Sequence, residues 1–354
     1  MHERLSYLSI EYLYSYTFTG HVNNPLSYFK DREKKTHAHV MLADISCWKI
    51  LLLCPIVFLF YQRFIYQKKD WPNRFHKVIV FGDSFSYTGN ETIKYNESFH
   101  PNTNRFQDRF CDDIIWLERL DVREKHSYAL PGATSDNDLF PSFGRFQGPH
   151  VPSVRQQISS YLNNTSKNQS DITQPLYIIW IGFNDYEFNQ KSTRPRQIVK
   201  SIMHALNDLL VVGAKNFLIF NQAPLQVFPC NRYANRRTFY REQTFLFNTQ
   251  FRRGLATLKQ TYSNASIHMF DYHTLLTEIV SNRASHRFND TINPCFQLSK
   301  TFAVQKYCFN PKQYVFLDSV HVTSAVHQLI TDAIQPFLST HFKENDPESY
   351  IYSF

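Results

Sequence analysis

The stretch from Lys77 to Asn90 holds a residue that could act as a nucleophile. It reads KVIVFGDSFSYTGN and begins with an uninterrupted apolar run, as a strand buried on both faces of a parallel sheet does. The run breaks at Gly82, and Ser84 follows. Open α/β sheets bind ligands just past the carboxyl ends of their strands, so this placement suits a nucleophilic serine. A turn with a capping serine is the alternative interpretation of the motif taken alone.

Three further polar breaks carry groups that acyl transfer requires. Gly132 lies in YALPGAT, and Asn184 lies in IIWIGFNDY. Asp318 and His321 form a D-x-x-H motif near the C-terminus. If these breaks meet at one edge of one sheet, they supply a serine, a histidine, an acid, a side-chain amide and a glycine N–H. That set is sufficient for acyl transfer through an oxyanion.

The four motifs resemble those of the SGNH hydrolases, the GDSL esterase/lipase family. They read GDSF at 82–85, PGAT at 131–134, GFND at 182–185 and DSVH at 318–321, in the family's order. The fuller pattern is similar to that of fungal carbohydrate esterase family sixteen acetylesterases and of plant-type and haemolysin-type lipases. Relatives commonly carry an acid two or three residues after the serine, where this chain has Ser86 and Tyr87. We expect this departure to alter packing or substrate entry and to leave the chemistry intact.

The resemblance implies a role for each residue. Ser84 is the nucleophile, His321 is the base that takes its proton, and Asp318 holds the imidazole in the required tautomer. The backbone N–H groups of Ser84 and Gly132 and the side-chain amide of Asn184 form the oxyanion hole. This mechanism requires no metal or organic cofactor, and no Cys/His spacing in the chain suggests zinc.

Neighbouring polar residues have simpler interpretations. We expect Asp83 and Asp185 to brace their turns and His327 to be structural. A predicted helix carries four arginines, at 232, 236, 237 and 241, which we interpret as a solvated face rather than a nucleic-acid site. The expected partner is therefore an ester substrate, an acetylated carbohydrate or a lipid, and we expect no nucleic acid. The chain is expected to be a monomer.

Strands and helices alternate from Lys77 onward. This predicts an α/β fold, a three-layer α/β/α sandwich with a parallel sheet of about five strands, flavodoxin-like as in SGNH hydrolases. Predicted strands cover Lys77–Phe81, His126–Leu130, Leu176–Ile181, Asn216–Phe220 and Ser266–Phe270. Predicted helices cover Arg105–Leu120, Pro152–Leu162, Arg196–Val212, Arg232–Tyr262, Tyr272–Ser281 and, with Thr323 as the cap, a last helix through Phe337. The segment from Phe288 to Tyr314 is predicted to be a long polar loop.

The 354 residues suffice for one catalytic domain and an N-terminal appendage. Residues 1–46 show no period and are left unassigned, and Met1 and Met41 are both candidate starts. Residues 47–67 include the apolar run Ile50–Tyr61, which predicts a signal peptide or a signal anchor that would attach the protein to a membrane. Residues 75–342 form the predicted hydrolase domain, and residues 343–354 form a tail.

Cysteines and glycosylation motifs indicate the secretory pathway. Cys295 and Cys308 bracket a short segment and could close a loop in an oxidising compartment. Asn-x-Ser/Thr acceptors occur at Asn90, Asn96, Asn163, Asn164, Asn168, Asn264 and Asn289. We therefore expect a glycoprotein with a disulfide, secreted or anchored at the cell surface.

The predicted function is a serine esterase that releases a short acyl group, such as acetyl from sugar hydroxyls. One alternative is a lipase or phospholipase, and another is a catalytically silent glycan-binding surface protein, against which the complete Ser/His/Asp set argues. The segment Ser135–Pro152 is too short and mixed to form an apolar lid, which favours short acyl groups. Aromatic residues that could stack on sugar or line an acyl pocket are Phe140, Phe143, Phe146, Tyr186 and Phe188.

Overall fold

The computed structural model describes residues 75–89, 109–142, 151–165, 169–188, 194–232, 234–298 and 304–342. The predicted N-terminal extension at 1–46, the signal or anchor segment at 47–67 and the tail at 343–354 lie outside these ranges. Within the described ranges, no helix combines the length and the apolar character that crossing a membrane requires.

Five parallel strands form the central sheet, as the sequence predicts. They are β1 (Lys77–Gly82), β2 (Glu124–Ser127), β3 (Leu176–Trp180), β4 (Asn216–Phe220) and β5 (Ser266–Phe270), in the spatial order β2-β1-β3-β4-β5. This is the flavodoxin-like order, which places the reversal of strand order at β1 and β3. The carboxyl ends of β1 and β3 lie at the same end of the sheet. The predicted site residues come directly after these two ends in the chain.

Burial explains which strands the sequence predicts well. Strands β3 and β4 are wholly buried, and their apolar runs match their boundaries almost residue for residue. Strand β2 lies at the edge, has the sequence EKHS and is half-exposed. The prediction placed a short strand near His126–Leu130, whereas pairing with β1 covers Glu124 to Ser127. Edge strands lose the apolar pattern because only part of their surface is covered.

Helices cover both faces of the sheet. They are α1 (Trp116–Arg119), α2 (Val154–Asn164), α3 (Gln169–Thr173), α4 (Phe183–Phe188), α5 (Pro195–Val211), α6 (Ala234–Thr261), α7 (Tyr272–Ser281) and α8 (Ser324–His341). On one face, Tyr161 of α2 contacts the rings of Phe81 and Tyr177. On the other face, Trp116 of α1 contacts the rings of Trp180 and Phe220. The predicted three-layer sandwich is thus confirmed.

The segment before α1 differs from the prediction. A helix was expected over Arg105–Leu120, but the described residues are helical only at Trp116–Arg119. Arg109 instead forms a two-pronged ion pair with Glu118, whose carboxylate also accepts the N–H of Ile115. Side chains that bond the backbone locally compete with helix formation, and here they hold residues 109–115 as a loop.

The segment predicted as a polar loop contains short strands. Strand β6 (Asp290–Pro294) pairs with β9 (Tyr314–Phe316), and β7 (Phe296–Leu298) pairs with β8 (Val304–Tyr307). A disulfide joins Cys295 to Cys308 between them, as the sequence indicated. These strands are only three to five residues long, which is too short to show a clear alternation of apolar and polar residues. Strand β9 ends directly before the Asp318–His321 segment, so this part of the chain supports that turn.

Candidate active site

The turn after β1 presents Ser84 at the carboxyl edge of the sheet. A side chain at Gly82 would collide with the carbonyl oxygen of Trp180, so only glycine fits this close approach. The Gln157 amide binds both backbone groups of Gly82, with distances of 3.0 Å to its nitrogen and 2.9 Å to its oxygen. The Asp83 carboxylate accepts the N–H of Phe85 at 3.0 Å. Together these contacts fix the backbone on either side of the serine.

The structure brings Ser84, His321 and Asp318 into one hydrogen-bonded row. The Ser84 Oγ lies 2.8 Å from His321 Nε2, and His321 Nδ1 lies 2.8 Å from Asp318 Oδ2. The Asp318 Oδ1 also accepts the backbone N–H groups of Val320 at 2.8 Å and His321 at 2.7 Å. One carboxylate therefore shapes the four-residue turn and contacts the imidazole that the turn carries.

Two aromatic rings lie against the imidazole of His321. The ring centroid of Phe110 is 4.7 Å away, and that of Phe85 is 5.6 Å away. Both phenylalanines are buried, and the histidine itself is only 7% exposed. The sequence predicted a helix over the segment that carries Phe110 and gave no signal for this contact, because that segment is distant from His321 in the chain.

A carboxylate from the same segment holds the start of α8, three residues after His321. Asp112 accepts the Ser324 N–H at 2.7 Å and the Ser324 hydroxyl at 2.8 Å. Thr323 occupies the N-cap position, as predicted, but its hydroxyl donates to the Tyr314 carbonyl. A helix N-terminus leaves N–H groups without intrahelical partners, and Asp112 supplies a charged acceptor for one of them.

Gly132 and Asn184, two of the residues predicted for the oxyanion hole, lie on segments that are tied together. Gly132 has a φ of +83°, a conformation that favours glycine. The Asn184 side chain donates from Nδ2 to the Ala133 carbonyl at 2.9 Å. Asp185 was expected to brace its own turn, and its carboxylate also accepts the N–H and the hydroxyl of Ser135, at 3.1 and 2.5 Å. The GFND segment thus holds the loop that presents Gly132.

The aromatic residues predicted near the site separate into three groups. Phe140 and Tyr186 are buried in the core and are not free to stack on a ligand. Phe188 is 36% exposed, and its ring lies 4.0 Å from the position that a Cβ on Gly132 would occupy. Phe143 and Phe146 fall outside the described residues. Among the described aromatic residues of this set, Phe188 is therefore the one that borders the loop of Gly132.

Two buried carboxyl groups flank the site residues. Burial raises the pKa of Asp83 from 3.8 to about 7, and the N–H of Phe85 only partly offsets it. Burial likewise raises the pKa of Asp185 to about 6, against the opposing hydrogen bonds from Ser135. The Asp83 Oδ2 atom has no hydrogen-bond partner among the described residues. Ionising Asp83 therefore costs free energy in the folded protein.

We expect replacement of Asp83 by asparagine to stabilise the protein at neutral and alkaline pH. Because the pKa of Asp83 is higher in the folded state, wild-type stability is retained below pH 4 and falls as pH rises towards 7. One such group lowers the free energy of unfolding by up to about 1.4 kcal/mol per pH unit in this window. Asp83→Asn keeps the acceptor for the Phe85 N–H and removes this loss.

The measurement is the melting temperature of both proteins between pH 4 and pH 8. Asp83→Asn should gain on the wild type as pH rises. Asp138→Asn, which removes an exposed carboxylate from the loop after Gly132, is the control. A difference between wild type and Asp83→Asn that is constant across this range would contradict the expectation.

Several other titratable groups of the described residues are kept neutral by burial. Among the described residues, no group of three or more His, Cys, Asp or Glu side chains is placed to hold a metal ion. His327 is fully buried, and burial lowers its pKa to about 3, which keeps the imidazole neutral. Burial raises the pKa of the Cys111 and Cys230 thiols, so both thiols are held in the protonated form.

A model of the GDSL-like lipase/acylhydrolase family matches residues 78–334. The thermolabile hemolysin of Vibrio parahaemolyticus is 24% identical over 295 residues, which cover 77% of this chain and 67% of that protein. The phosphatidylcholine-sterol acyltransferase of Aeromonas hydrophila is 23% identical over 331 residues, covering 78% of this chain and 94% of that protein. A solved carbohydrate acetylesterase from Sinorhizobium meliloti aligns with a TM-score of 0.43 and 13% identity, covering 75% of this chain and 99% of that one.

Proposed function

Because the chain belongs to the GDSL-like lipase/acylhydrolase family, we propose that Ser84, His321 and Asp318 form the catalytic triad of a carboxylic ester hydrolase. The observation that carries this proposal is the pair of 2.8 Å contacts, from Ser84 Oγ to His321 Nε2 and from His321 Nδ1 to Asp318. A nucleophile bonded to a base, with the base oriented by an acid, is the arrangement that activates a serine hydroxyl.

The proposed reaction proceeds in two halves. His321 Nε2 takes the Ser84 proton as Oγ attacks the ester carbonyl carbon, and it then gives that proton to the departing alcohol. Water, deprotonated by the same nitrogen, hydrolyses the acyl-enzyme and releases the acid. Asp318 stabilises the imidazolium that forms in each half. Phe85 and Phe110 keep water from the imidazole faces, which strengthens these hydrogen bonds.

The negative charge on the carbonyl oxygen is proposed to be met by the N–H groups of Ser84 and Gly132 and by the Asn184 amide. An asparagine amide carries two hydrogens, and the bond to Ala133 uses one of them. The second is the one proposed to donate to the oxyanion. Loss of one such donor typically lowers turnover by about 10² to 10³. The bonds from Asp185 to Ser135 support the proposal, because they restrain the Gly132 loop.

We propose acetyl and similar short acyl groups, carried on sugar hydroxyls, as the substrates. Phe188 stands beside Gly132 and would limit the space next to a bound carbonyl. Long acyl chains need sustained apolar burial, since each methylene contributes about 0.8 kcal/mol. The motif pattern, which resembles that of carbohydrate acetylesterases, supports a sugar as the alcohol part of the ester.

A lipase or phospholipase acting on longer chains is the second candidate. The hemolysin and phosphatidylcholine-sterol acyltransferase relatives favour it, since the second name specifies a lipid substrate. Leu139, 49% exposed, and Phe188 give the loops next to the site some apolar surface.

A series of p-nitrophenyl esters separates the two candidates. We expect kcat/KM to be highest for acetyl or butyryl esters and to fall for octanoyl and palmitoyl esters. The physical reason is that the Phe188 ring beside Gly132 limits the space next to a bound carbonyl, so each added methylene would gain little burial. A maximum at octanoyl or beyond would reject the short-chain proposal and establish the lipase candidate.

We further propose that the protein is secreted or held at the cell surface. The acceptor asparagines at 163, 164, 264 and 289 are all exposed, so oligosaccharyl transfer would meet no steric obstacle. Asn90, Asn96 and Asn168 lie outside the described residues. The Cys295–Cys308 disulfide supports the same compartment, because disulfides persist in oxidising surroundings.

A further inference from the structure

A cavity of about 620 Å³ lies beside the edge strand β2. One wall is the segment from His126 to Leu130, and the opposite wall is helix α2. Four residues of α2 line it, namely Gln156, Gln157, Ser160 and Asn164. Gln156, Ser160 and Asn164 are spaced four positions apart and therefore lie on one side of the helix, over a length of about 12 Å.

Several residues that line this cavity are close neighbours of the site residues along the chain. Tyr87, which lines it, is three residues after Ser84, and Leu130 is two residues before Gly132. Pro152 also lines it, and the preceding Val151 has its Cγ2 atom 3.9 Å from the position of a Cβ on Gly132. An ester held at Ser84 could thus extend into the cavity past the Gly132 loop.

The walls combine flat apolar faces with neutral hydrogen-bonding groups. Tyr87, Tyr128 and Pro152 supply the faces, and the amides and hydroxyl on α2 supply donors and acceptors. No Asp, Glu, Lys or Arg occurs among the described lining residues. Sugar rings present a C–H face that stacks on aromatic rings and an edge of hydroxyls that bonds to amides. An acyl chain would leave the three polar groups on α2 without partners from the ligand.

We propose that this cavity is a subsite for the alcohol part of the substrate and binds neutral glycosyl units of a carbohydrate ester. The subsite rests on the proposed ester hydrolysis at Ser84 and adds the recognition of an oligosaccharide. It predicts that the enzyme prefers an acetylated oligosaccharide to an acetylated single sugar, because only the former reaches along α2.

The test fills the cavity with a large side chain introduced on helix α2. Ser160→Trp places a large ring in the cavity, and Ser159→Trp places the same ring at the neighbouring exposed position, which does not line it. Substrates are acetylated xylo-, manno- and chito-oligosaccharides of one and four units, with p-nitrophenyl acetate for comparison. The protein is treated with an endoglycosidase first, because Asn164 is both a lining residue and a glycosylation acceptor.

We expect the wild type and Ser159→Trp to favour the four-unit ester of at least one glycan by about tenfold in kcat/KM, and Ser160→Trp to lose that preference. All three should hydrolyse p-nitrophenyl acetate equally. Absence of any length preference in the wild type would overturn the subsite, as would equal behaviour of the two tryptophan variants. These outcomes leave ester hydrolysis standing, whereas failure of the wild type on p-nitrophenyl acetate would overturn the proposed function itself.

Discussion

Replacement of Ser84 by alanine is expected to lower kcat for ester hydrolysis by about 10⁴-fold or more. The Oγ atom is the proposed attacking group, and it lies 2.8 Å from the nitrogen that would take its proton. Alanine removes that atom alone, and the turn is held by other groups, namely Gln157 on Gly82 and Asp83 on Phe85. The fold should therefore persist, with an unchanged melting temperature and circular dichroism spectrum.

Ser86 provides a matched control in the same turn. Its side chain is fully buried, and its Oγ has no hydrogen-bond partner among the described residues. Ser86→Ala removes the same hydroxyl group two residues away and should keep kcat within a few-fold of wild type. Turnover by purified Ser84→Ala at the wild-type rate would refute the proposed mechanism.

Replacement of Asp318 by asparagine is expected to lower kcat by about 10⁴-fold through the wrong imidazole tautomer. The asparagine oxygen can still accept the N–H groups of Val320 and His321, so the turn is retained. The new NH₂ group then faces His321 Nδ1, which must become an acceptor. The proton moves to Nε2, and that nitrogen can no longer accept the proton of Ser84.

The chain contains a second copy of this turn that serves as the control. Asp290 Oδ1 accepts the N–H groups of Ile292 at 2.8 Å and Asn293 at 2.7 Å, and Oδ2 accepts the Asn293 amide at 2.8 Å. The geometry matches that of the Asp318 turn, with an amide in place of the imidazole. Asp290→Asn should therefore change kcat little. If both substitutions reduced kcat equally, the effect of Asp318→Asn would be structural and the tautomer argument would be wrong.

The sequence predicts the parts of this site that lie within short motifs. The D-x-x-H spacing places Asp318 and His321 on one turn, and the buried runs of β1 and β3 place Ser84 and Asn184 at one edge of the sheet. Local order and side-chain chemistry suffice for these residues. The parallel five-stranded sheet follows for the same reason, since its central strands are buried on both faces.

The parts that were missed depend on contacts between distant segments. Phe110 and Asp112 lie in a stretch whose apolar spacing predicted a helix, yet they contact His321 and Ser324. Asp185 was assigned to its own turn, and its bond to Ser135, fifty residues away, was not predicted. No local pattern separates a carboxylate that bonds a neighbour from one that bonds another loop. The cavity beside β2 was missed likewise, because its walls come from three separate stretches.

The spacing of the site residues along the chain has a consequence for how activity appears during folding. Asp318 and His321 are three residues apart and can pair as soon as their turn forms, whereas Ser84 and His321 are 237 residues apart. Closing so long a loop carries a large entropic cost, which is repaid only when the sheet and the last helix have packed together. A chain in which α8 has not yet packed against the sheet would hold Ser84 without its contact to His321. Esterase activity is therefore expected to report the packed fold, because the proposed activation of Ser84 requires its contact with His321.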